Sequence, residues 1–169
     1  MKKFELTNEF VTNMFGTKLF RIRALVEFGD VEAGELGGYV EKESNLGHDD
    51  NAWVYDNAWV YGNARVSGDA LVYGNARVCG DARVCGNGDY AYAHGFGSVN
   101  RTTTFFRLKD GGVGVRCGCF YGTLAQFRDK IRETHGETKK AQEYLMLADL
   151  MELRFEEDEN EVGNRKYVE

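Results

Sequence analysis

From Asn51 to Gly86 the chain repeats itself every six residues without a break. The units run 51–56, 57–62, 63–68, 69–74, 75–80 and 81–86. Each reads small polar, Ala, variable, Val, variable, Gly, with Asp56 in place of the first Gly. Ala and Val are two apart, so they point to one side of a short strand and the variable residues point to the other. Gly followed by Asn or Asp supplies a corner, because these residues tolerate positive φ at least cost. Val54, Val60, Val66, Val72, Val78 and Val84 are therefore expected inside. Ala52, Ala58, Ala64, Ala70, Ala76 and Ala82 are expected inside near the corners, where only a small side chain fits.

A lone strand of this kind cannot bury its apolar side, but stacked coils can, at about 4.7–4.9 Å between strands. A strict hexapeptide period is a signature of parallel β-helices. An antiparallel meander has no need to repeat its inward residues identically. The pattern resembles the left-handed parallel β-helix of hexapeptide-repeat proteins, in which three hexads make one triangular coil. The left hand departs from the usual right-handed crossover rule and is implied by the resemblance alone. Six units would make two coils. Degenerate units around Asn45-Leu46-Gly47 and over Tyr90–Gly95 would extend the stack.

Three hexads per coil would set Trp53 beside Leu71, Tyr55 beside Tyr73, Trp59 beside Arg77 and Tyr61 beside Cys79. Arg65 would lie beside Arg83, and Ser67 beside Cys85. The Trp53, Tyr55, Leu71 and Tyr73 face is too apolar to stay bare. It is either covered by the chain's own terminal segments or forms a subunit interface. Arg65 and Arg83 would repel unless an anion lies between them. A carboxylate of another subunit or a bound phosphate would serve, since Arg suits bidentate oxyanion contact. Trp59, Tyr61, Arg65, Arg77 and Arg83 are the candidate ligand-binding residues.

A chain of 169 residues with 43% hydrophobic content suits one compact domain with small appendages. A net charge of −6 argues against general nucleic-acid binding but leaves room for a local basic face. Cys79 and Cys85 occupy outward repeat positions where Tyr and Ser also occur, which reads as substitutable surface. Cys117 and Cys119 could share a strand face, but no His or second Cys pair has zinc-ligand spacing. No metal or cofactor is expected. Free cysteines suit a reducing cytoplasm. No long apolar run or apolar signal core is present, so a soluble, unsecreted protein with no membrane partner is expected. The sequence contains no proline, for which we have no functional account.

The flanks divide the chain into an N-terminal β cap (1–44), the repeats (45–100) and a C-terminal hairpin and helical module (101–169). Lys3–Leu6 and Lys18–Val26 read as strands, the second with a bulge or two buried sides because Leu19, Ile22 and Leu25 break register. The Gly-rich stretch from Phe28 to Val40 reads as a loop leading into the first coil. Asp110-Gly111 between two strand-like runs signals a hairpin. Thr123-Leu-Ala-Gln126 is a capping box for a helix ending at His135-Gly136. A second helix from Thr138 to Phe155 carries an apolar stripe at Ala141, Tyr144, Leu145, Ala148 and Met151, widened by Leu147, Leu150 and Leu153. The acidic stretch from Glu156 to Glu161 reads as a solvated end.

Asp30–Val40, Asn45-Leu-Gly-His48 and Trp53-Val-Tyr-Asp56 resemble the lead-in segment of a family of phage and prophage hexapeptide-repeat proteins. Cys117-Gly-Cys-Phe-Tyr-Gly-Thr-Leu124, Thr134-His-Gly136 and Tyr144–Leu150 resemble the C-terminal module of the same family. The resemblance implies a bacterial or phage cytoplasmic setting and a homo-oligomer, with a trimer favoured.

Three functions compete. Acyltransferases of this fold carry a catalytic His beside a long loop leaving the coils. Here His48 and His94 flank the repeats, His135 ends a helix, and no long loop interrupts the array. Ser67 and the cysteines lack a neighbouring His in sequence to act as base. The leaning is therefore away from an enzyme. A non-enzymatic oligomeric binder would use Trp59, Tyr61 and Arg77 to stack a base or hold a phosphate. One version is a host-defence antagonist that sequesters a small nucleotide signal. The third reading is a module that docks a host protein or acts as a scaffold.

Overall fold

A computed structural model describes residues 1–98 and 101–156. The acidic stretch beyond Glu156 lies outside the described residues. The repeats form six two-residue strands, β4 (Trp53–Val54), β5 (Trp59–Val60), β6 (Arg65–Val66), β7 (Leu71–Val72), β8 (Arg77–Val78) and β9 (Arg83–Val84). They pair in parallel as β4–β7, β5–β8 and β6–β9, each eighteen residues apart in sequence. Three hexads thus close one coil. The six repeat valines and six repeat alanines are buried, so each coil lays an identical apolar layer on the next. Burying a valine is worth about 1.5–3 kcal/mol. Asp56 takes positive φ at the corner where later units use glycine.

Above this stack lies β3 (Leu36–Val40), with Tyr39 in register with Trp59 and Val40 with Val60. The expected loop thus ends in a strand. Leu46 bridges Val66 in parallel, so the degenerate unit around it does form part of a coil. β1 (Phe4–Thr12) and β2 (Lys18–Ala24) complete an antiparallel cap running into β3. The register slips between Arg21 and Arg23, which lets both Leu19 and Ile22 bury.

Below the stack the pattern changes. Tyr90–Gly95 does not continue the coils. Its strand β10 (Tyr90–His94) runs antiparallel to β11 (Thr102–Arg107), followed by β12 (Val113–Cys117) and β13 (Phe120–Thr123). Alternation gives this sheet two apolar faces. Phe106 and Tyr90 join the repeat core, whereas Phe105, Val115 and Cys117 pack on α1 (Leu124–His135) and α2 (Lys139–Phe155). The sheet is sandwiched between coils and helices.

Thr123 and Gln126 form the expected capping box, and Gly136 ends α1. In α2 the inward stripe is Ala141, Tyr144, Ala148, Met151 and Phe155. Leu150 and Leu153 face outward and stay exposed with Met146. Among the described residues no helix is long and apolar enough to cross a membrane.

The junction between coils and sheet rests on one cross-strand row. Tyr92, Thr104, Arg116 and Tyr121 align across β10 to β13. Thr104 Oγ1 accepts from the Arg77 N–H (2.9 Å), and the Tyr92 and Tyr121 hydroxyls fill the space beside Gly74 and Gly80. At Gly80 (φ 65°) a Cβ would strike the Tyr121 hydroxyl, whereas Gly86 is extended and open. Gly80→Ala is expected to lose about 2 kcal/mol from left-handed strain, and Gly86→Ala to lose well under that. Denaturant midpoints of the two variants measure the difference.

Candidate anion-binding cleft

A cleft of about 470 Å³ opens where cap, coils and sheet meet. Asn13 and Met14 come from the turn between β1 and β2; Trp59, Tyr61, Asn75 and Arg77 come from the coils. His94, Thr102 and Arg116 come from the sheet, Arg101 from the residue just before β11, and Gly118 from the turn between β12 and β13. Three of the five candidate ligand residues, Trp59, Tyr61 and Arg77, are thus brought together. No carboxylate is among the described residues that line the cleft.

Arg77 is half-committed to the fold. Its Nη1 donates to the carbonyls of Asn57 (3.1 Å), Asn75 (2.8 Å) and Ala76 (3.3 Å). Its guanidinium lies over the Trp59 ring at 3.9 Å, a distance that favours cation–π attraction. Nε and Nη2 make no hydrogen bond within the described residues. Burial holds the Arg77 pKa below the ordinary guanidinium value, with Tyr61 opposing. An added anion would relieve that penalty.

Arg116 is only 8% exposed. Its contacts are soft: Nη2 to Met14 Sδ at 3.8 Å, the Phe15 ring at 5.5 Å and the Tyr61 ring at 5.9 Å. No carboxylate among the described residues pairs with it. A buried charge without a charged partner is costly. Arg101 is exposed and lies against Gly118, where a Cβ would approach its Nη1 to 2.9 Å. Asn13, also 8% exposed, accepts at Oδ1 from the N–H groups of Phe15 (2.9 Å) and Thr17 (3.0 Å). Its amide nitrogen is left as a donor on the cleft wall. His94 Nδ1 meets Thr102 Oγ1 at 2.9 Å on the same sheet face.

Arg65 and Arg83 pair in register but lie outside the cleft. Arg83 does not wait for an anion. Its Nη1 donates to the carbonyls of Asn63 (2.7 Å) and Ala82 (2.8 Å), the contact Arg77 makes to Asn57 one unit earlier. This arginine position staples one coil to the next. Arg65 is exposed.

Of the interface candidates, Trp53 is fully buried within the chain, covered by Phe4 and Phe28 at ring separations of 6.4 and 5.3 Å. It is cap core, because the N-terminal strand folds back over it. Tyr55 stacks on Tyr73 at 4.7 Å, with Leu71 half-buried and Tyr73 40% exposed.

The cysteines also differ from the surface reading. Cys79 is buried beneath Tyr61, and desolvation pushes its pKa up to about 11. Burial, then Cys79, raises the Tyr61 pKa well above the ordinary phenol value. Cys85 is exposed. Cys117 is buried against Thr103, whereas Cys119 is exposed in the turn beyond Gly118, so the two do not share a face. His48 stacks on Phe4 and accepts from the Lys3 N–H, and His135 stacks on Tyr144. Both rings serve packing.

Asn13, Arg101 and Arg116 were not singled out in the sequence. Alternation in β12 places Arg116 opposite Val115 and Cys117, but nothing local says what that face meets.

The thiols give a direct check. At pH 8 a thiol reagent should label Cys85 and Cys119 in the folded protein and leave Cys79 and Cys117 untouched until denaturation. Cys79 has a raised folded pKa, so its contribution is present below the unfolded value of 9.0 and is lost as pH rises toward about 11. Stability should therefore fall over that window, and Cys79→Ala should flatten part of the slope. Unfolding midpoints against pH test this.

Comparison with known proteins supports the architecture of the coils. A repeat profile described as YdcK beta solenoid repeat matches residues 58–74 and, overlapping, 64–80. The repeat region is thus similar to β-solenoid repeats. No curated protein matches the chain.

Proposed function

We propose that this chain is a non-enzymatic binding protein whose cleft holds a small, phosphate-bearing ligand of the nucleotide class. The observation that carries this reading is Arg116, a buried arginine, 8% exposed, that lines the cleft with a sulfur and two aromatic rings as its guanidinium's neighbours. Arg77 and Arg101 share the cleft. Guanidinium groups suit phosphate geometry, and about 470 Å³ falls within the usual range for small-molecule sites. The Trp59 face toward Arg77 is occupied, so a ligand ring would lean on Tyr61 or on a guanidinium plane. The packing roles of His48 and His135 and the raised Cys79 pKa favour binding over catalysis.

In the phage or prophage setting that the resemblance implies, such a protein would withdraw a nucleotide signal from host defence. On the same resemblance we read the coils as left-handed and the assembly as a homotrimer, with Tyr55 and Tyr73 at the subunit contact.

One observation favours a second reading, a protein-docking module: Met146, Leu150 and Leu153 form an exposed apolar stripe on α2. Native mass spectrometry of gently purified protein separates the two. The binder reading expects a reproducible extra mass that absorbs as a nucleotide and is lost in Arg116→Gln. A bare chain that also binds no mono-, di- or cyclic dinucleotide at micromolar concentration would overturn it.

A further inference from the structure

The polar groups turned into the cleft are mostly donors, and this asymmetry narrows the ligand. Arg77 keeps Nε and Nη2 uncommitted, because its hydrogen bonds to carbonyls all run through Nη1. Arg116 offers its guanidinium from β12, and Arg101 offers another from just before β11. The Asn13 side chain can present only its amide N–H groups, since both loop N–H groups occupy its oxygen. Acceptors are few. They are the hydroxyl oxygens of Thr102 and Tyr61, the exposed Asn75 side chain at the rim and, in one tautomer, His94 Nε2, set against the N–H groups of three guanidiniums.

The Watson–Crick edge of a nucleobase carries both donors and acceptors, and reading it requires both in the protein; the O6/N7 edge of guanine carries acceptors alone, but a guanidinium spent there is withdrawn from the phosphates. A phosphate carries acceptors alone. Among the described residues, three guanidinium groups and no lining carboxylate give a cleft whose formal charge exceeds what one phosphate monoester supplies, at about −1.5 to −2 near neutral pH.

Resting on the nucleotide reading above, we infer that the cleft selects its ligand by two or more phosphate groups and not by the identity of its base. Nucleoside diphosphates and other diphosphate-bearing molecules fit this chemistry. The guanidinium groups and the Asn13 amide grip the phosphates, and the ring rests on apolar and aromatic surface without hydrogen-bond readout.

Calorimetric titration of the full chain at one fixed salt concentration tests this with ADP, GDP, CDP, AMP and inorganic pyrophosphate. The three diphosphates should bind within about threefold of one another, AMP should bind at least about tenfold more weakly, and pyrophosphate should displace ADP. Arg101→Gln, at an exposed position that leaves the core intact, should weaken ADP by about tenfold. Arg116→Gln should do so as well, with its unfolding midpoint checked alongside. A strong preference for one base, equal binding of AMP and ADP, pyrophosphate failing to compete, or Arg101→Gln binding like the parent would overturn the inference while leaving nucleotide binding in place. Absence of binding by all five probes would remove the inference and count against the nucleotide reading as well.

Discussion

Each coil is held to the next by parallel hydrogen bonds between strands whose paired residues lie eighteen apart, and this ladder fixes nearly everything else. Trp53 N–H meets the Ala70 carbonyl, Trp59 that of Ala76 and Arg65 that of Ala82. Once this register is set, valine stacks on valine inside and the outward rows cannot slide. A slip of one residue would turn the apolar side outward. Trp59 therefore lies above Arg77 and Tyr61 above Cys79 as a consequence of backbone pairing. The arginines at this position then reach back to the preceding coil's carbonyls and reinforce the register that placed them.

The ends of so short a stack have to be covered, and the two covers build the cleft. The cap brings its β1–β2 turn beside the coils, and the sheet brings Arg116 and Thr104 up against the lower edge. The cap is itself fastened by a buried cation. Lys3 Nζ donates to the carbonyls of Ala52 (2.6 Å) and Asp50 (3.0 Å), with the Asp50 carboxylate at 3.4 Å. Burial lowers its pKa against the pull of Asp50. The chain as a whole is acidic, at −6, yet among the described residues its cleft is lined by three arginines and no carboxylate. Partly buried charge of this kind is screened by salt far less than surface charge. It can act on a ligand locally even though the net field is negative.

The coils were legible in the sequence because their period is local and strict. The buried valines, the alanine corners and the rows of outward pairs all follow from a spacing of six and a coil of three. The helices were legible through their caps, Thr123 with Gln126 and Thr138 at the second start. What escaped reading depends on distant segments. β3 hides in a Gly-rich stretch because Gly37 and Gly38 press close to the chain below: a Cβ at either would come within 2.6 Å of the carbonyl oxygens of Val54 and Ala58, respectively. Tyr90–His94 has the look of a worn repeat, but its partner is the hairpin that follows. Cys79 stands at an outward repeat position and is buried only because the sheet closes over that corner. The cleft was half visible for the same reason: Trp59, Tyr61 and Arg77 belong to the repeats, whereas Asn13 and Arg116 reach it through tertiary packing alone.

The central claim is that cap, coils and sheet jointly grip an anion. Hydrogen–deuterium exchange with and without saturating pyrophosphate tests it by location. The account predicts slowed exchange in the β1–β2 turn around Asn13, in β8 around Arg77 and in β12 around Arg116, with α2 unchanged. Protection that is absent from all three segments, or confined to the Arg65 and Arg83 row or to α2, would contradict it.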